Sequence, residues 1–284
     1  MLWHVPDLNR SWLDIANDVG TRGGFVSPRG QRTREILGAT IRVEDPTNVL
    51  PLAVTRNAHL PIAAAEALQL IGGVSHPELM CRIASKFPNF MDGGVFHGAY
   101  GPRVRPQIGS VIRRLSADKD TRQALLTIWD PAQDAHVDGL KDYPCTTVLH
   151  FMIRNDRLIL HTTMRSNDVY WGLTYDAFQF TQLQLTIADA LGIEAGPYYH
   201  HANSLHVYER DFAAIDSIGI LVDNPCQRQP EWLRGLPGYA DDAAEGFEVA
   251  ASTARDILTG AAASWVHTGP AEDWYIEMLR KYQP

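Results

Sequence analysis

The sequence predicts an α+β fold, in which helices surround a mixed β-sheet within a single domain spanning residues 1–284. Two apolar segments, at residues 61–71 and 176–191, have the spacing of buried helices. Short apolar runs between them have the length of strands, and two of these runs form a hairpin. The 22 glycines and 17 prolines are scattered along the chain rather than gathered in a linker, which favours one domain.

The elements follow from their boundary residues. Pro61 suits the first turn of a helix, Gly72-Gly73 suits its end, and Gly192 suits the end of the second long helix. The Asn155-Asp156 pair predicts the hairpin turn. Residues 211–284 have no decisive pattern. In chain order we predict a loop at 21–33, a strand at 34–43, a helix at 61–71, a long loop at 86–106, a helix at 108–115, strands at 124–129, 147–153 and 158–163, a helix at 176–191 and a strand at 205–208.

Composition excludes several function classes. A 45% hydrophobic content excludes wholesale disorder, and a net charge of −8 disfavours broad electrostatic binding of nucleic acid. The three cysteines fit neither a disulfide framework nor a zinc site. The first residues lack the apolar core of a signal peptide, and no run of about 18 apolar residues is present. We expect a cytoplasmic protein without a metal, a nucleic-acid partner or a membrane partner.

Cys145 follows Pro144 and precedes a strand that is apolar at nearly every position, so that both faces of the strand are expected to be buried. The cysteine is either a small buried hydrophobe or a nucleophile, and a nucleophile needs a nearby cation. Arg165 follows the partner strand of the hairpin. A tight hairpin brings it back to Cys145.

Two further features could carry chemistry. Glu66 lies in an alanine-rich helix with little polar surface, so it is either a solvent-facing residue or a general acid/base with a raised pKa. His206 and Tyr208 alternate along a strand and therefore face the same side. His200-His201 precede them, but the spacing matches no familiar metal site.

Six motifs in this order resemble the thymidylate synthase family over about residues 30–210. They are Arg56-Asn57-Ala58-His59-Leu60 with Glu66, Asp120-Thr121-Arg122-Gln123, Pro144-Cys145, Arg165-Ser166-Asn167-Asp168, Gly172 to Asp176, and His206-Val207-Tyr208. The resemblance implies a mixed sheet with packed helices and a homodimer joined through sheet faces. It also implies two substrates, a pyrimidine nucleoside monophosphate and 5,10-methylenetetrahydrofolate.

The resemblance implies roles for individual residues. Cys145 would add to C6 of the pyrimidine, Glu66 would arrange water and proton transfers, and Tyr100 would lie near the nucleophile. Arg122 would reach the phosphate across the dimer. Arg165 and Ser166 would contact the phosphate, and His206 and Tyr208 would contact the sugar. Asp168 would line the base and folate pocket, and Glu66 and Arg56 would contact the folate.

Two departures from the family pattern affect phosphate binding. The second phosphate arginine of the family is Gln123 here. The arginine of the N-terminal phosphate loop is out of register, with Arg29 one residue off and Arg32 as the other candidate.

A third departure concerns the base, because the uracil-specific synthases have asparagine where this chain has Asp176. An amide complements the N3–H and O4 of uracil, whereas a carboxyl complements the N3 and N4 amino group of cytosine. A helix N-cap is the alternative role for Asp176. The aspartate resembles the deoxycytidylate hydroxymethylase branch, in which water adds to the methylene carbon.

Two further observations refine this hypothesis. The loop at residues 86–99 has no tryptophan, unlike the corresponding loop in the synthases, and retention of Ser166 favours dCMP over CMP. The sequence therefore predicts conversion of dCMP to 5-hydroxymethyl-dCMP. A CMP 5-hydroxymethylase, a thymidylate synthase acting on dUMP, and a non-catalytic nucleotide- or RNA-binding relative remain alternatives.

Overall fold

The computed structural model describes residues 1–52, 56–219, 229–230, 233, 235–238, 240–264 and 269–283. A mixed sheet runs through this part of the chain in the order β1-β3-β8-β6-β5-β4, while β2 pairs with β3 and β7 pairs with β8. The strands are β1 (Leu2–Val5), β2 (Gly24–Val26), β3 (Thr33–Val43), β4 (Leu125–Thr127), β5 (Thr146–Arg154), β6 (Arg157–Met164), β7 (Asn167–Asp168) and β8 (Glu194–Tyr208). Antiparallel pairs join β3 to β8 and β5 to β6, whereas β6 and β8 are parallel.

Helices pack around this sheet, so the predicted α+β architecture is confirmed. The helices are α1 (Leu8–Arg22), α2 (Leu60–Gly72), α3 (Pro77–Ile83), α4 (Tyr100–Ala117), α5 (Pro131–Asp134), α6 (Gly172–Ala190), α7 (Phe212–Gly219), α8 (Ala243–Thr259) and α9 (Pro270–Leu279). In the described ranges, no helix combines the length and apolarity needed to cross a bilayer.

The two long predicted helices are present, and both lie at the centre of the fold. Helix α2 ends at Gly73, which takes a left-handed conformation with φ of 66°. Helix α6 starts four residues before the predicted position, and nearly all of its side chains are buried. Helix α8 packs against both α2 and α6. Helices α2 and α6 therefore hold Glu66 and Asp176, respectively, inside the molecule.

The N-terminal helix α1 had no counterpart in the sequence prediction. Asp7 caps it by accepting a hydrogen bond from the Arg10 amide at 2.9 Å. Trp12 is fully buried, and its indole Nε1 donates to the Val169 carbonyl at 2.9 Å. The helix thereby fixes the chain between β7 and α6, close to the residues that the family resemblance singled out.

The prediction of one loop over residues 86–106 is wrong, because α4 already begins at Tyr100. Pro106 lies inside this helix. The start of α4 lies directly against the end of α2: a Cβ on Gly101 would come within 2.3 Å of the carbonyls of Gln69 and Val74. Glycine therefore permits the close approach that places Tyr100 beside α2.

Three other local predictions need correction. Residues 24–26 of the predicted loop form β2, and the predicted strand at 205–208 is the end of the fifteen-residue β8. Burial alternates along β5, so the expectation that both its faces are buried is wrong for this chain alone. The hairpin turn itself is confirmed, since Asn155 and Asp156 both have φ of 54°.

Candidate active site

A cleft of about 220 Å³ opens between the two central helices and the segment before β5. Its lining contains Cys145, three carboxyl groups, the Tyr100 phenol and three phenylalanine rings, which we call the aromatic wall. The carboxyl groups are Glu66, Asp142 and Asp176, and the aromatic wall comprises Phe87, Phe90 and Phe96. The structure therefore brings all four residues predicted as catalytic, Cys145, Glu66, Asp176 and Tyr100, into one cavity.

Cys145 and Arg165 meet as the hairpin geometry predicted. The Arg165 amide donates to the Cys145 carbonyl at 2.8 Å, and its Nε donates to the Pro144 carbonyl at 3.0 Å. Burial raises the pKa of the Cys145 thiol, and the positive charge of Arg165 opposes this rise. Arg165 therefore fixes the backbone around the sulfur and favours the thiolate.

Glu66 faces the cleft from α2. Burial, together with the negative charges of Asp176 and Asp142, raises its pKa to about 8. A group with this pKa can both release and accept a proton near neutral pH, as general acid/base catalysis requires. Tyr100 stacks on Phe180 with ring centroids 5.9 Å apart, and burial raises the pKa of its phenol.

Asp176 lies in the second turn of α6, whose N-cap is Trp171. The alternative role of helix N-cap is therefore wrong. One carboxylate oxygen accepts from Asn167 Nδ2 at 2.7 Å, and the other accepts from Gln179 Nε2 at 3.0 Å. Burial raises the pKa of Asp176 to about 7, although both hydrogen bonds oppose the rise. The group thus lies close to the midpoint of its titration at neutral pH.

Asp142 is a cleft residue to which the sequence analysis gave no role. Its Oδ2 accepts from the Gly98 amide at 3.0 Å, which ties the segment before Cys145 to the loop before α4. Burial raises the pKa of this carboxyl as well. Its position three residues before Cys145 was the available signal, but an aspartate in a turn is usual.

The predicted sugar and phosphate residues lie along the ends of β7 and β8. Ser166 Oγ is 3.5 Å from His206 Nδ1, and the rings of His206 and Tyr208 are 5.0 Å apart. Asp168 Oδ1 accepts from the Tyr170 amide at 2.9 Å, and burial raises the pKa of Asp168 to about 7. The shared face predicted for His206 and Tyr208 is confirmed.

Arg29 and Arg32 differ in their surroundings. Arg32 pairs with Glu209 at 3.4 Å and covers the Phe25 ring at 4.9 Å. Arg29 is exposed, with φ of 52°. Burial raises the pKa of Cys145 and Tyr208, and the charge of Arg29 opposes the rise at both. Of these two arginines, Arg29 is therefore the one whose charge acts on Cys145, in addition to the charge of Arg165.

Of the predicted site residues, Cys145, Glu66, Asp176 and Tyr100 line the cleft, whereas all the others, including Arg56 and Arg122, lie outside its lining. Arg56 is 2% exposed, and its guanidinium lies over the Tyr170 ring at 4.3 Å and the Trp12 ring at 5.1 Å. Its contact with folate remains a prediction. Arg122 is exposed, and its carbonyl accepts from His150 Nε2 at 3.1 Å. Its approach to a partner's phosphate likewise remains a prediction.

Comparison with known proteins agrees with this geometry, since residues 10–230 match the family profile described as thymidylate synthase. The chain belongs to the thymidylate synthase family. Members of this family are folate-dependent one-carbon transferases that act on nucleoside monophosphates. In the described ranges, no three histidine, cysteine, aspartate or glutamate side chains are arranged so that they could hold a metal ion.

Phage enzymes are among the similar curated proteins. The chain is 34% identical over 221 residues to the deoxyuridylate hydroxymethyltransferase of Bacillus phage SP01, covering 72% of this chain and 57% of that protein. The enzyme of the same name from Pseudomonas phage M6 is 33% identical over 168 residues, covering 56% and 48%. The chain thus spans about half the length of these phage relatives. A protein of Methanothermobacter marburgensis, provisionally named a thymidylate synthase, is 26% identical over 218 residues, covering 73% and 93%.

Proposed function

We propose that this member of the family is a pyrimidine deoxynucleotide 5-hydroxymethyltransferase with dCMP as its substrate. The observation that carries the choice of base is the Asp176 carboxyl at the cleft, held by two neutral amide donors. The names of the phage relatives support transfer of a hydroxymethyl group. The cleft wall of phenylalanines, without tryptophan, agrees with that choice.

Cys145 starts the proposed reaction. Its thiolate adds to C6 of the base, which makes C5 nucleophilic and divides a difficult ring substitution into easier steps. Because burial raises the pKa of this thiol, Arg165 and Arg29 supply the positive charge that favours the reactive thiolate. The same sulfur leaves when the product is released.

The aromatic wall is the proposed packing surface for the flat ring of the folate. Phe87 and Phe96 meet edge to face with centroids 5.8 Å apart, beside the loop that leads into Tyr100. When bound, 5,10-methylenetetrahydrofolate supplies the one-carbon unit, so that dCMP, the folate and water give 5-hydroxymethyl-dCMP and tetrahydrofolate. Glu66 and Asp168 are the proposed polar residues of this site.

Glu66 is proposed to handle the proton of the water molecule that provides the hydroxyl group. Its pKa of about 8 lets it exist in both forms near neutral pH. Asp142 and Tyr100 border the same cavity and restrict the space available to that water.

Asp176 is proposed to read the edge of the base. A protonated carboxyl donates to N3 of cytosine and accepts from its N4 amino group. An ionised carboxyl opposite uracil leaves O4 without a donor, and an unpaired buried polar atom costs about 1–3 kcal/mol, or roughly 5–150-fold in affinity. With a pKa of about 7, Asp176 retains a protonated fraction at neutral pH.

A second candidate substrate is dUMP, which the names of both phage relatives favour. A protonated Asp176 can also pair with uracil, by accepting from N3–H and donating to O4. The two candidates differ when Asp176 is ionised: the carboxylate can pair with cytosine that is protonated at N3, whereas it leaves O4 of uracil without a donor.

We further propose a homodimer in which Arg122 reaches the phosphate bound by the other protomer. Its exposure beside β4, at the edge of the sheet, leaves its side chain available for this contact. Arg165, Ser166, His206 and Tyr208 are the proposed phosphate and sugar residues within one protomer.

The test incubates the protein with 5,10-methylenetetrahydrofolate and each of dCMP, CMP, dUMP and UMP, and identifies the product by mass spectrometry. We expect a hydroxymethyl adduct with dCMP. Hydroxymethylation of dUMP alone would show that dUMP, not dCMP, is the substrate. Hydroxymethylation of CMP alone would overturn the argument that Ser166 favours dCMP over CMP. Methylation of dUMP would identify a thymidylate synthase. Cys145→Ser should abolish turnover while nucleotide binding persists, and wild-type turnover by this variant would overturn the proposal.

A further inference from the structure

A chain of hydrogen bonds between buried polar side chains connects Asp176, at the cleft, to two residues in the middle of β8. Tyr198 and His200 are 0% and 1% exposed, and Asn167 is 3% exposed. Tyr198 OH is 2.8 Å from His200 Nδ1, His200 Nε2 is 3.1 Å from Asn167 Oδ1, and Asn167 Nδ2 is 2.7 Å from Asp176 Oδ2. We call Tyr198, His200 and Asn167 the relay.

The donors and acceptors of the relay fit together in one direction. The Asp176 carboxylate accepts, so Asn167 must present its NH₂ group to it and its carbonyl to His200. His200 therefore donates from Nε2. Burial, together with His201, lowers the pKa of His200 to about 3, so the ring is neutral and Nδ1 accepts from Tyr198. Each group thus fixes the orientation of the next.

A glycine makes room for the last contact of the relay. A Cβ on Gly172 would lie 2.8 Å from Asn167 Nδ2 and 3.4 Å from Asp176 Oδ2. Asn167 has little freedom to retreat, because it is buried and hydrogen-bonded at both ends of its amide. Gly172 therefore has a packing role at this position in addition to starting α6.

We propose that the relay is a specificity device: it holds Asn167 with its NH₂ group towards Asp176 and thereby fixes which donors and acceptors Asp176 presents to the base. The proposal rests on the proposed function, in which Asp176 reads the base. Tyr198, His200 and Asn167 are positioning residues that act through Asp176. If the amide were free to turn over, its carbonyl would face Asp176 and favour a different protonated form.

The consequence is a change in discrimination rather than a uniform loss of binding. With the relay intact, Asp176 presents a single pattern of donors and acceptors to the base. That pattern favours one base over the other, and the proposed function assigns the preference to cytosine. With the relay broken, Asp176 meets both amide orientations, so the ratio of affinities for dCMP and dUMP moves towards one. A misplaced hydrogen bond costs about 1–3 kcal/mol, so the expected change in that ratio is at least about fivefold.

Two variants break the relay in different ways. His200→Phe keeps an aromatic ring of similar size but removes the donor to Asn167. Gly172→Ala keeps every hydrogen-bonding group and pushes on the Asn167 amide. His200→Gln is the conservative rescue, because its amide can donate to Asn167 and accept from Tyr198.

Two control variants make matched changes away from Asp176. Gln184 lies in α6, as Asp176 does, and its buried amide donates to the carbonyls of Leu158 and Gly196. Gln184→Leu removes this donor. Gly109→Ala adds a methyl group in α4, where the nearest atom is the end of the Arg113 side chain at 3.2 Å. These variants report the effects of reduced stability alone.

The experiment measures the dissociation constants of dCMP and dUMP by titration calorimetry without folate, and kcat/KM for both nucleotides with folate. We expect His200→Phe and Gly172→Ala to move the dCMP-to-dUMP ratio at least about fivefold towards one. We expect His200→Gln and both controls to keep it within about twofold of the wild-type ratio.

The outcomes separate the relay from the proposed function. Wild-type ratios in both His200→Phe and Gly172→Ala would overturn the relay, as would equal shifts in the controls. A shifted binding ratio without any hydroxymethylated product would uphold the relay and overturn the proposed function. If the wild type bound neither nucleotide, both proposals would fall.

Discussion

Two aspartates in this molecule have pKa values that are shifted in opposite directions. Asp134, in α5, accepts from both Arg103 guanidinium nitrogens at 2.6 and 2.9 Å and from His97 at 2.7 Å. Asp176, in α6, accepts from two neutral amides, and the structure shows no ion pair to it within the described ranges. Burial raises the pKa of both, but the bonds to Arg103, Asp130 and His97 lower that of Asp134 overall.

The comparison shows that the type of donor, acting together with burial, separates a structural carboxylate from one that can titrate. A cation stabilises the charged form by Coulomb attraction, whereas an amide supplies a weaker dipole. Asp134 is therefore a fixed anion that joins α5 to α4. Asp176 and Glu66 retain protons that can be exchanged near neutral pH.

The largest expected effect is on stability at the structural carboxylate. Asp134→Asn removes the charge opposite Arg103, whose side chain is 9% exposed. Leaving a buried cation unpaired costs about 3–5 kcal/mol, so chemical denaturation should show a loss of that size. Asp138→Asn, at an exposed aspartate in the same region, is the control and should change stability little. A loss below about 1 kcal/mol would contradict the structural role.

The next effect is on turnover at Glu66. Glu66→Gln keeps the shape of the side chain but removes the exchangeable proton, so kcat should fall by about 100-fold or more. Binding of dCMP, measured by calorimetry, should change little. Unchanged kcat would mean that the raised pKa of Glu66 has no catalytic use.

A smaller change is expected in base selection. Asp176→Asn should shift the ratio of kcat/KM for dCMP to that for dUMP towards dUMP by roughly 5–150-fold, because an amide complements N3–H and O4 together. Gln179 lies at the cleft and can turn its amide to accept from the new side chain. A ratio that stays at the wild-type value would show that Asp176 does not read the base.

The smallest expected effect is the pH dependence of stability. Because the folded pKa of Asp176 is raised, its stabilising contribution is full below pH 4 and is lost as pH rises through about 7. The melting temperature of Asp176→Asn should therefore rise relative to that of the wild type from pH 6 to 8, by an amount equivalent to about 1 kcal/mol, or about 2–4 °C. Asp134→Asn should show no such gain, because the lowered pKa of Asp134 affects stability only as pH falls below about 4.

Much of the fold was predictable because strong local patterns coincide with the central elements. Helices α2 and α6 and the β5–β6 hairpin carry periodic apolar residues and clear end signals. The misplaced start of α4 has a different cause: Tyr100-Gly101 form helix because α2 packs against them, and Gly101 is a weak helix former by itself.

The site candidates that the sequence singles out have reactive or charged groups, and their roles stay predictions. Cys145, Glu66, Arg165 and Asp176 were identified from motifs or from unusual surroundings in the sequence. Asn167, His200 and Tyr198 were not assigned roles, because neutral polar residues within strands give no local signal of what they contact. Their hydrogen bonds link positions up to 33 residues apart.

The sequence by itself determined the family, the two central helices, the hairpin that brings Arg165 to Cys145 and the presence of a carboxyl at position 176. These depend on residue identity and on spacing along the chain. The tertiary structure decided the protonation behaviour of that carboxyl. Whether a buried aspartate meets a guanidinium, as Asp134 does, or an amide, as Asp176 does, depends on which distant side chains the fold places within 3 Å of its oxygens. Coulomb interactions act over that distance, whatever the separation along the sequence.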